Sequence, residues 1–169
     1  TKDDKTIYFN DIQAAFNAAK TSGGGTLKLL QNVTLPSDAE DRYNCNIYIH
    51  PESADPNFVF TVDWNGHVLS GNTWGNLLVF SGRTNVTLKD SSNSNTGGVR
   101  NMNTNGIAVY ISLDGYEHSV IIEGGAYSAR VAKWNCKGTL QISGGVFENS
   151  ANASAIFACD RDGKDVGTL

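Results

Sequence analysis

Ile122-Glu123-Gly124-Gly125-Ala126-Tyr127 and Ile142-Ser143-Gly144-Gly145-Val146-Phe147 are one pattern written twice. Each copy is an aliphatic residue, a polar residue, a glycine pair, a small apolar residue and an aromatic. Further upstream, Val62-Asp63-Trp64-Asn65-Gly66 and Val86-Thr87-Leu88-Lys89-Asp90 repeat at a slightly longer spacing. Leu88 and Ile122 lie further apart again, and the Asn/Ser/Gly-rich stretch from Ser91 to Asn105 absorbs the excess. A repeat of about 20–25 residues suits one coil of a solenoid. A single coil cannot bury its own inner face, so stacked coils share one core. The glycine pairs supply corners, where a positive φ or a close backbone approach is needed.

The rest of the chain agrees with this reading. Short β runs are separated by Gly, Asn, Asp and Ser. They include Thr26–Leu30, Phe58–Val62, Leu77–Phe80, Val86–Leu88, Ile107–Ile111, Ser119–Ile122 and Thr139–Ile142. Strands this short and numerous fit a sandwich, a barrel or a solenoid, and the repeat selects the solenoid. One helix is legible, over residues 10–22. Ile12, Ala15, Phe16 and Ala19 form an apolar stripe, Asn10 or Asp11 supplies the N-cap, and Gly23-Gly24-Gly25 ends it. The stretch 36–57 fits no coil and reads as an insert.

Composition bounds the function. The chain has 169 residues, enough for one domain, here 1–169. Hydrophobic residues make up 40% and charged residues 18%, which is not the profile of a disordered chain. No apolar run approaches a membrane span. A net charge of -4 argues against nucleic acid as a partner, which demands a dense basic patch. Low charge with abundant Asn, Ser, Thr and Gly fits a secreted or cell-surface protein. The three sequons, at Asn32, Asn85 and Asn152, are read as chance in an Asn-rich chain.

The repeats at Val62–Gly71, Val86–Ser91 and Ile142–Phe147, with the opening helix followed by Gly23–Leu35, resemble those of parallel β-helix proteins of bacterial cell surfaces. These form part of the pectate-lyase-like superfamily. The resemblance covers most of the chain and implies an all-β, right-handed single-stranded parallel β-helix whose N-terminal α-helix caps one open end. The family includes polysaccharide lyases and hydrolases, glycan-binding modules, adhesins and plain stalks, so the resemblance specifies fold better than function. The ending, Asp160 to Leu169, shows no capping helix, which reads as one module of a longer protein with further modules in the same chain, or as an end that another element covers.

A lyase needs acidic ligands on successive coils and a Lys or Arg base. Asp114, Glu117, His118, Glu123, Arg130 and Lys133 are the densest cluster available. The coil alignment puts Lys89, Glu123 and Ser143 in one outward column, so the acidic ladder is interrupted. A solvated ion pair worth at most about 1 kcal/mol is the favoured reading of that column. No nucleophile motif accompanies His50, His67 or His118, and no catalytic residue or metal ligand is assigned. Asp160-Arg161-Asp162-Gly163-Lys164-Asp165 resembles half a calcium loop without the EF-hand spacing. Calcium is therefore a possible ligand rather than an assigned cofactor, and a polar turn is the competing reading.

The aromatic residues point to sugar. Trp and Tyr faces stack on the C–H faces of sugar rings, and polar side chains bond the hydroxyls. Trp64 alternates with Asp63 and belongs in the core with Val62. Trp74, in Gly71–Asn76, and Tyr116, in Asp114–His118, lie in turns, and Trp134 can face either way. For all three, core packing competes with a ligand platform. Turns of this kind gather along one edge of a solenoid and build an elongated groove. The expected site is Trp74, Tyr116, Asp114, His118, Arg130 and Trp134, and the expected partner a polysaccharide or cell-surface glycan bound without catalysis. A polysaccharide lyase or hydrolase, and a passive stalk, are the alternatives. The spacing of Cys136 and Cys159 is close to one coil, which suits either a disulfide or two stacked free thiols. Free thiols are the favoured reading, because Cys45 leaves the set odd.

Overall fold

The computed structural model describes residues 6–36, 47–49, 59–81, 85–111, 117–133, 137–149 and 154–158. Cys45, Cys136, Cys159, the segment 160–169, Asp114, Tyr116 and Trp134 lie outside them. The chain opens with helix α1, Ile12–Thr21, whose N-cap Asp11 carboxylate accepts the Ala14 N–H at 2.6 Å. Fifteen strands follow among the described residues, in five turns of three. The first coil is β1 (Gly24–Lys28), β2 (Val33–Thr34) and β3 (Ile47–Ile49), and the second is β4 (Val59–Asp63), β5 (Val68–Gly71) and β6 (Asn76–Phe80). The third is β7 (Asn85–Lys89), β8 (Gly98–Asn101) and β9 (Ile107–Ile111). The fourth is β10 (Glu117–Ile122), β11 (Ala126–Ser128) and β12 (Arg130–Lys133). The fifth is β13 (Lys137–Ile142), β14 (Val146–Glu148) and β15 (Ile156–Ala158).

Like strands of successive coils pair in parallel, giving three five-stranded sheets. Sheet A is β1-β4-β7-β10-β13, sheet B is β2-β5-β8-β11-β14, and sheet C is β3-β6-β9-β12-β15. This is a parallel β-helix with an N-terminal helix, as the repeat implied. Ile122 stacks on Ile142 in register. Two expectations change. Val62 pairs with Leu88 and Phe60 with Val86, so the upstream repeat is two residues longer than its sequence alignment. A two-residue slip leaves every side chain on its own face, so the inner positions are the same in both alignments. Within the supposed insert, Ile47–Ile49 is the third strand of the first coil and pairs with β6.

The inner face repeats coil by coil. Val62, Leu88 and Ile122 in sheet A, Leu69, Val99 and Tyr127 in sheet B, and Ile47, Leu78, Val109 and Val131 in sheet C are buried in one cluster. α1 closes the N-terminal end: Phe16 is buried and its ring meets Phe60 at 5.5 Å. In the fifth coil Leu140, Ile142 and Phe147 pack on this core while remaining partly exposed.

The corner between sheets A and B shows why the glycine pairs are there. Gly125 and Gly145 adopt φ of 102° and 115°, and a Cβ on Gly144 would approach the Glu123 carbonyl oxygen to 2.5 Å. Side chains stitch one coil to the next here. Asn65 donates to the Leu29 carbonyl, Asn95 accepts the Gly125 N–H, and Asp63 accepts the N–H groups of Asn65 and Ser91. Asp90 accepts from Gly66 at 2.7 Å, Ser92 at 3.0 Å and Gly97 at 2.7 Å. Inside the same corner Trp64, fully buried, donates its indole N–H to the Tyr127 hydroxyl at 3.1 Å, and that hydroxyl donates to the Gly124 carbonyl at 3.0 Å. Burial pushes the Tyr127 phenol well above its usual pKa.

Burial raises the carboxyl pKa of Asp63 and Asp90. The donated backbone N–H groups and the Ser91 and Ser92 hydroxyls outweigh it, so both sit below the usual carboxylate value. A depressed folded pKa contributes stability that is present above the unfolded value, about 3.9, and is lost as pH falls through the folded value. Urea melts should therefore weaken progressively below about pH 4. Asp90→Asn should cost about 1.5–3 kcal/mol at pH 7, the range for hydrogen bonds to a charged group, and flatten that acid slope. An unchanged slope in the variant would show that Asp90 is not the group titrating.

Candidate functional site

A sheet that packs one face on a core normally turns polar residues outward. The threonine column of sheet A obeys except at Ile121, and sheet B obeys in one of its two outward columns. On sheet A the outward columns are Thr26-Thr61-Thr87-Ile121-Gln141 and Lys28-Asp63-Lys89, the latter continued by Glu123 and Ser143. Lys28 reaches Asp63 at 3.8 Å. On sheet B one outward column is Thr34-Ser70-Arg100-Ser128-Glu148, and the other, Val68-Gly98-Ala126-Val146, is apolar and ends in the 49% exposed Val146.

Sheet C does not obey. Its strands carry apolar residues on both sides of a central position: Ile47-Tyr48-Ile49, Leu78-Val79-Phe80, Val109-Tyr110-Ile111 and, at the last coil, Ile156-Phe157-Ala158. Leu78, Phe80, Val109 and Ile111 belong to the core, so strand alternation turns the central residues outward. Register stacks them as Tyr48-Val79-Tyr110-Ala132-Phe157, one residue per coil. Tyr48 is 51% exposed, and Tyr110 and Phe157 are partly exposed. Val79 and Ala132, at 5% and 2% exposure, lie sunk between their larger neighbours without belonging to the inner cluster. Tyr48 is the exposed member of this column, and it is an exposed apolar patch that marks an interaction surface.

One edge of this face is the corner between sheets B and C, built around Asn101. Its buried amide accepts from Thr73 and Asn103 and donates to the carbonyls of Thr73 and Ile107, so all its polar atoms are used. That bonding holds out the turn bearing Trp74, whose side chain is 49% exposed. Two coils along, Arg130 begins β12 in register with Ile107, which itself pairs with Asn76. Trp74 and Arg130 are thus brought to the same edge of sheet C. Ala129, before Arg130, is held at φ 86°, a conformation that side-chain-bearing residues adopt at a cost of roughly 1–3 kcal/mol. The Arg130 Nε is buried with no hydrogen-bond partner among the described residues. Such an orphaned donor is satisfied when an acceptor arrives.

The other expected residues are not gathered here. His118 lies in β10 of sheet A opposite Gly138, across a corner from Trp74 and Arg130. Asp114, Tyr116 and Trp134 fall outside the described residues, as does the acidic segment compared with a calcium loop. Among the described residues no group of three or more His, Cys, Asp and Glu side chains converges, and no helix is long and apolar enough to cross a membrane. Sequence reasoning missed Tyr48, Tyr110 and Phe157. Of the three, Tyr110 alone fell in a stretch read as a strand, while Tyr48 lay in the supposed insert and Phe157 in no expected strand. No family model, curated protein or solved structure matches the chain.

Trp74 and Trp64 separate surface from core. Trp74→Ala should move the melting temperature by no more than about 2 °C, as for an exposed side chain. Trp64→Ala should lower it by roughly 6–20 °C, since truncating a buried Trp costs about 3–5 kcal/mol. Equal losses in a thermal melt would contradict the placement of Trp74.

Proposed function

We propose that this chain is an extracellular, non-catalytic β-helix module that binds polysaccharide or a cell-surface glycan. The observation that carries the reading is the outward aromatic column of sheet C, with Trp74 and Arg130 at its edge. Aromatic faces in line suit a chain of sugar rings, and the Arg130 guanidinium offers donors to hydroxyls along one side. The low fraction of charged residues and the resemblance to bacterial cell-surface β-helix proteins support an extracellular setting. A lyase reading finds less support. The charged column on sheet A alternates cation and carboxylate, from Lys28 through Asp63 and Lys89 to Glu123, so it does not stack carboxylates on successive coils.

Affinity should be weak, roughly micromolar to millimolar, because a few stacked rings must offset the loss of association entropy. A glycan array followed by isothermal titration calorimetry tests this. Tyr110→Ala should weaken binding to the best array ligand by roughly three- to tenfold. A folded protein that binds no glycan at millimolar concentration would overturn the reading.

A further inference from the structure

Two turns on neighbouring coils share a pattern. Asn72-Thr73-Trp74-Gly75 leads into β6, and Asn103-Thr104-Asn105-Gly106 leads into β9. Ile107 pairs with Asn76 and donates its N–H to the Gly75 carbonyl at 2.9 Å. Counting back from that pair sets Gly106 beside Gly75 and Asn105 beside Trp74. The turns are in contact. A Cβ on Gly106 would collide with the Asn101 amide and the Thr73 carbonyl, and would come within 3.0 Å of the Gly75 carbonyl oxygen. The second turn is one residue longer, and the extra residue is Met102 at its start, whose N–H bonds to the Gly71 carbonyl at 2.8 Å.

The surface these turns present is apolar at its centre and polar around it. Trp74 and Met102 are 49% and 55% exposed. Asn72, Thr104 and Asn105 are exposed, and among the described residues no partner occupies their side-chain polar atoms or the Trp74 indole N–H. Together these groups donate and accept hydrogen bonds, and none is charged. Residues 71–76 and 102–107 contain no Asp, Glu, Lys, Arg or His. Arg100 points outward from sheet B, and Arg130 lies on the next coil, beyond both turns. The support beneath is fixed. Asn101 and Thr73 are buried and bonded to each other, and the Asn103 side chain accepts the Asn105 N–H at 3.1 Å. A contact surface held by buried side chains loses little freedom when a ligand arrives.

A flat apolar ring flanked by uncharged donors and acceptors matches a sugar ring, which shows a C–H face and a rim of hydroxyls. A charged ligand would find no counter-charge in the two turns. We infer that Trp74 and Asn105 bind one uncharged sugar unit at the corner between sheets B and C, with the sugar stacked on the indole and the Asn105 amide bonded to its hydroxyls. This rests on the reading of the chain as a glycan-binding module and names the residues that anchor the glycan. Asn72 and Thr104 flank the stacked ring, and Met102 extends the apolar surface onto the third coil. Neighbouring coils lie about 4.8 Å apart, close to the width of one sugar ring.

The test is tryptophan fluorescence and calorimetry with neutral oligosaccharides of glucose, galactose, mannose and N-acetylglucosamine, against oligogalacturonate and sialyllactose. At least one neutral series should bind and shift the tryptophan emission. The shift should vanish in Trp74→Phe, which keeps an aromatic ring but removes the reporting indole. Trp74→Ala and Asn105→Ala should each weaken binding by roughly three- to tenfold. Circular dichroism confirms that each variant is folded. Neutral binding that survives both alanine variants, or is weakened by only one of them, would overturn this inference and leave the glycan-binding module standing. So would an emission shift that persists in Trp74→Phe, or tighter binding of the charged sugars. Absence of any glycan binding at millimolar concentration would overturn both. Sedimentation showing a dimer that Trp74→Ala dissociates would also overturn the inference, because the corner would then join two copies of the chain.

Discussion

The carboxylate of Asp90 takes three backbone N–H groups, one from its own coil's turn, one from the end of the following loop and one from the coil before. Much else depends on that arrangement. A parallel solenoid must turn its chain at every corner, and each corner leaves N–H groups without ladder partners. Asp63, Asp90 and Asn95 satisfy them across coils, which fixes the vertical register of one coil on the next. Once that register is fixed at the corner between sheets A and B, the other two sheets inherit it. The column on sheet C is a consequence: five outward residues can form a straight line only if every coil sits directly above its neighbour.

The interior of the same corner is filled in a way that also reaches across coils. Trp64 belongs to the second coil and Tyr127 to the fourth, yet their polar atoms meet at 3.1 Å. The third coil permits this because Gly97 stands between them, where a Cβ would come within 2.8 Å of the Trp64 Cβ. Tyr127 then stacks on Phe147 of the fifth coil at 5.2 Å and 12°. The pair buries two large rings without an orphaned indole N–H or phenol, which is the condition for placing such groups in a core. The corner between sheets A and B is therefore braced from within.

Much of the fold was legible in the sequence and the face was not, for physical reasons. The doubled Ile-x-Gly-Gly pattern reflects real geometry, a positive φ at Gly125 and Gly145, and few other residues tolerate it. The helix was legible because its apolar stripe, cap and terminating glycines all agree. The sheet B strands, two to four residues long and polar on one side, carry too little periodicity to stand out. Tyr48 was hidden in a stretch that no repeat covers. Tyr110 was read as part of a strand, but an aromatic among aliphatics looks the same whether it faces in or out. The burial of its neighbours Val109 and Ile111 in the core decides that. Trp74, Arg130 and His118 were expected in one site; the coil stacking brings Trp74 and Arg130 to one edge, whereas His118 belongs to another sheet.

The account rests on the claim that the outer face of sheet C, and not the two polar faces, is where a ligand lies. Amide chemical-shift mapping during titration with the best ligand from a glycan array tests it most directly. The account predicts that the perturbed amides concentrate in residues 47–49, 74–80, 107–111, 130–133 and 156–158. Perturbations concentrated instead along the Thr ladder of sheet A, or along the Ser70-Arg100-Ser128 column of sheet B, would contradict it.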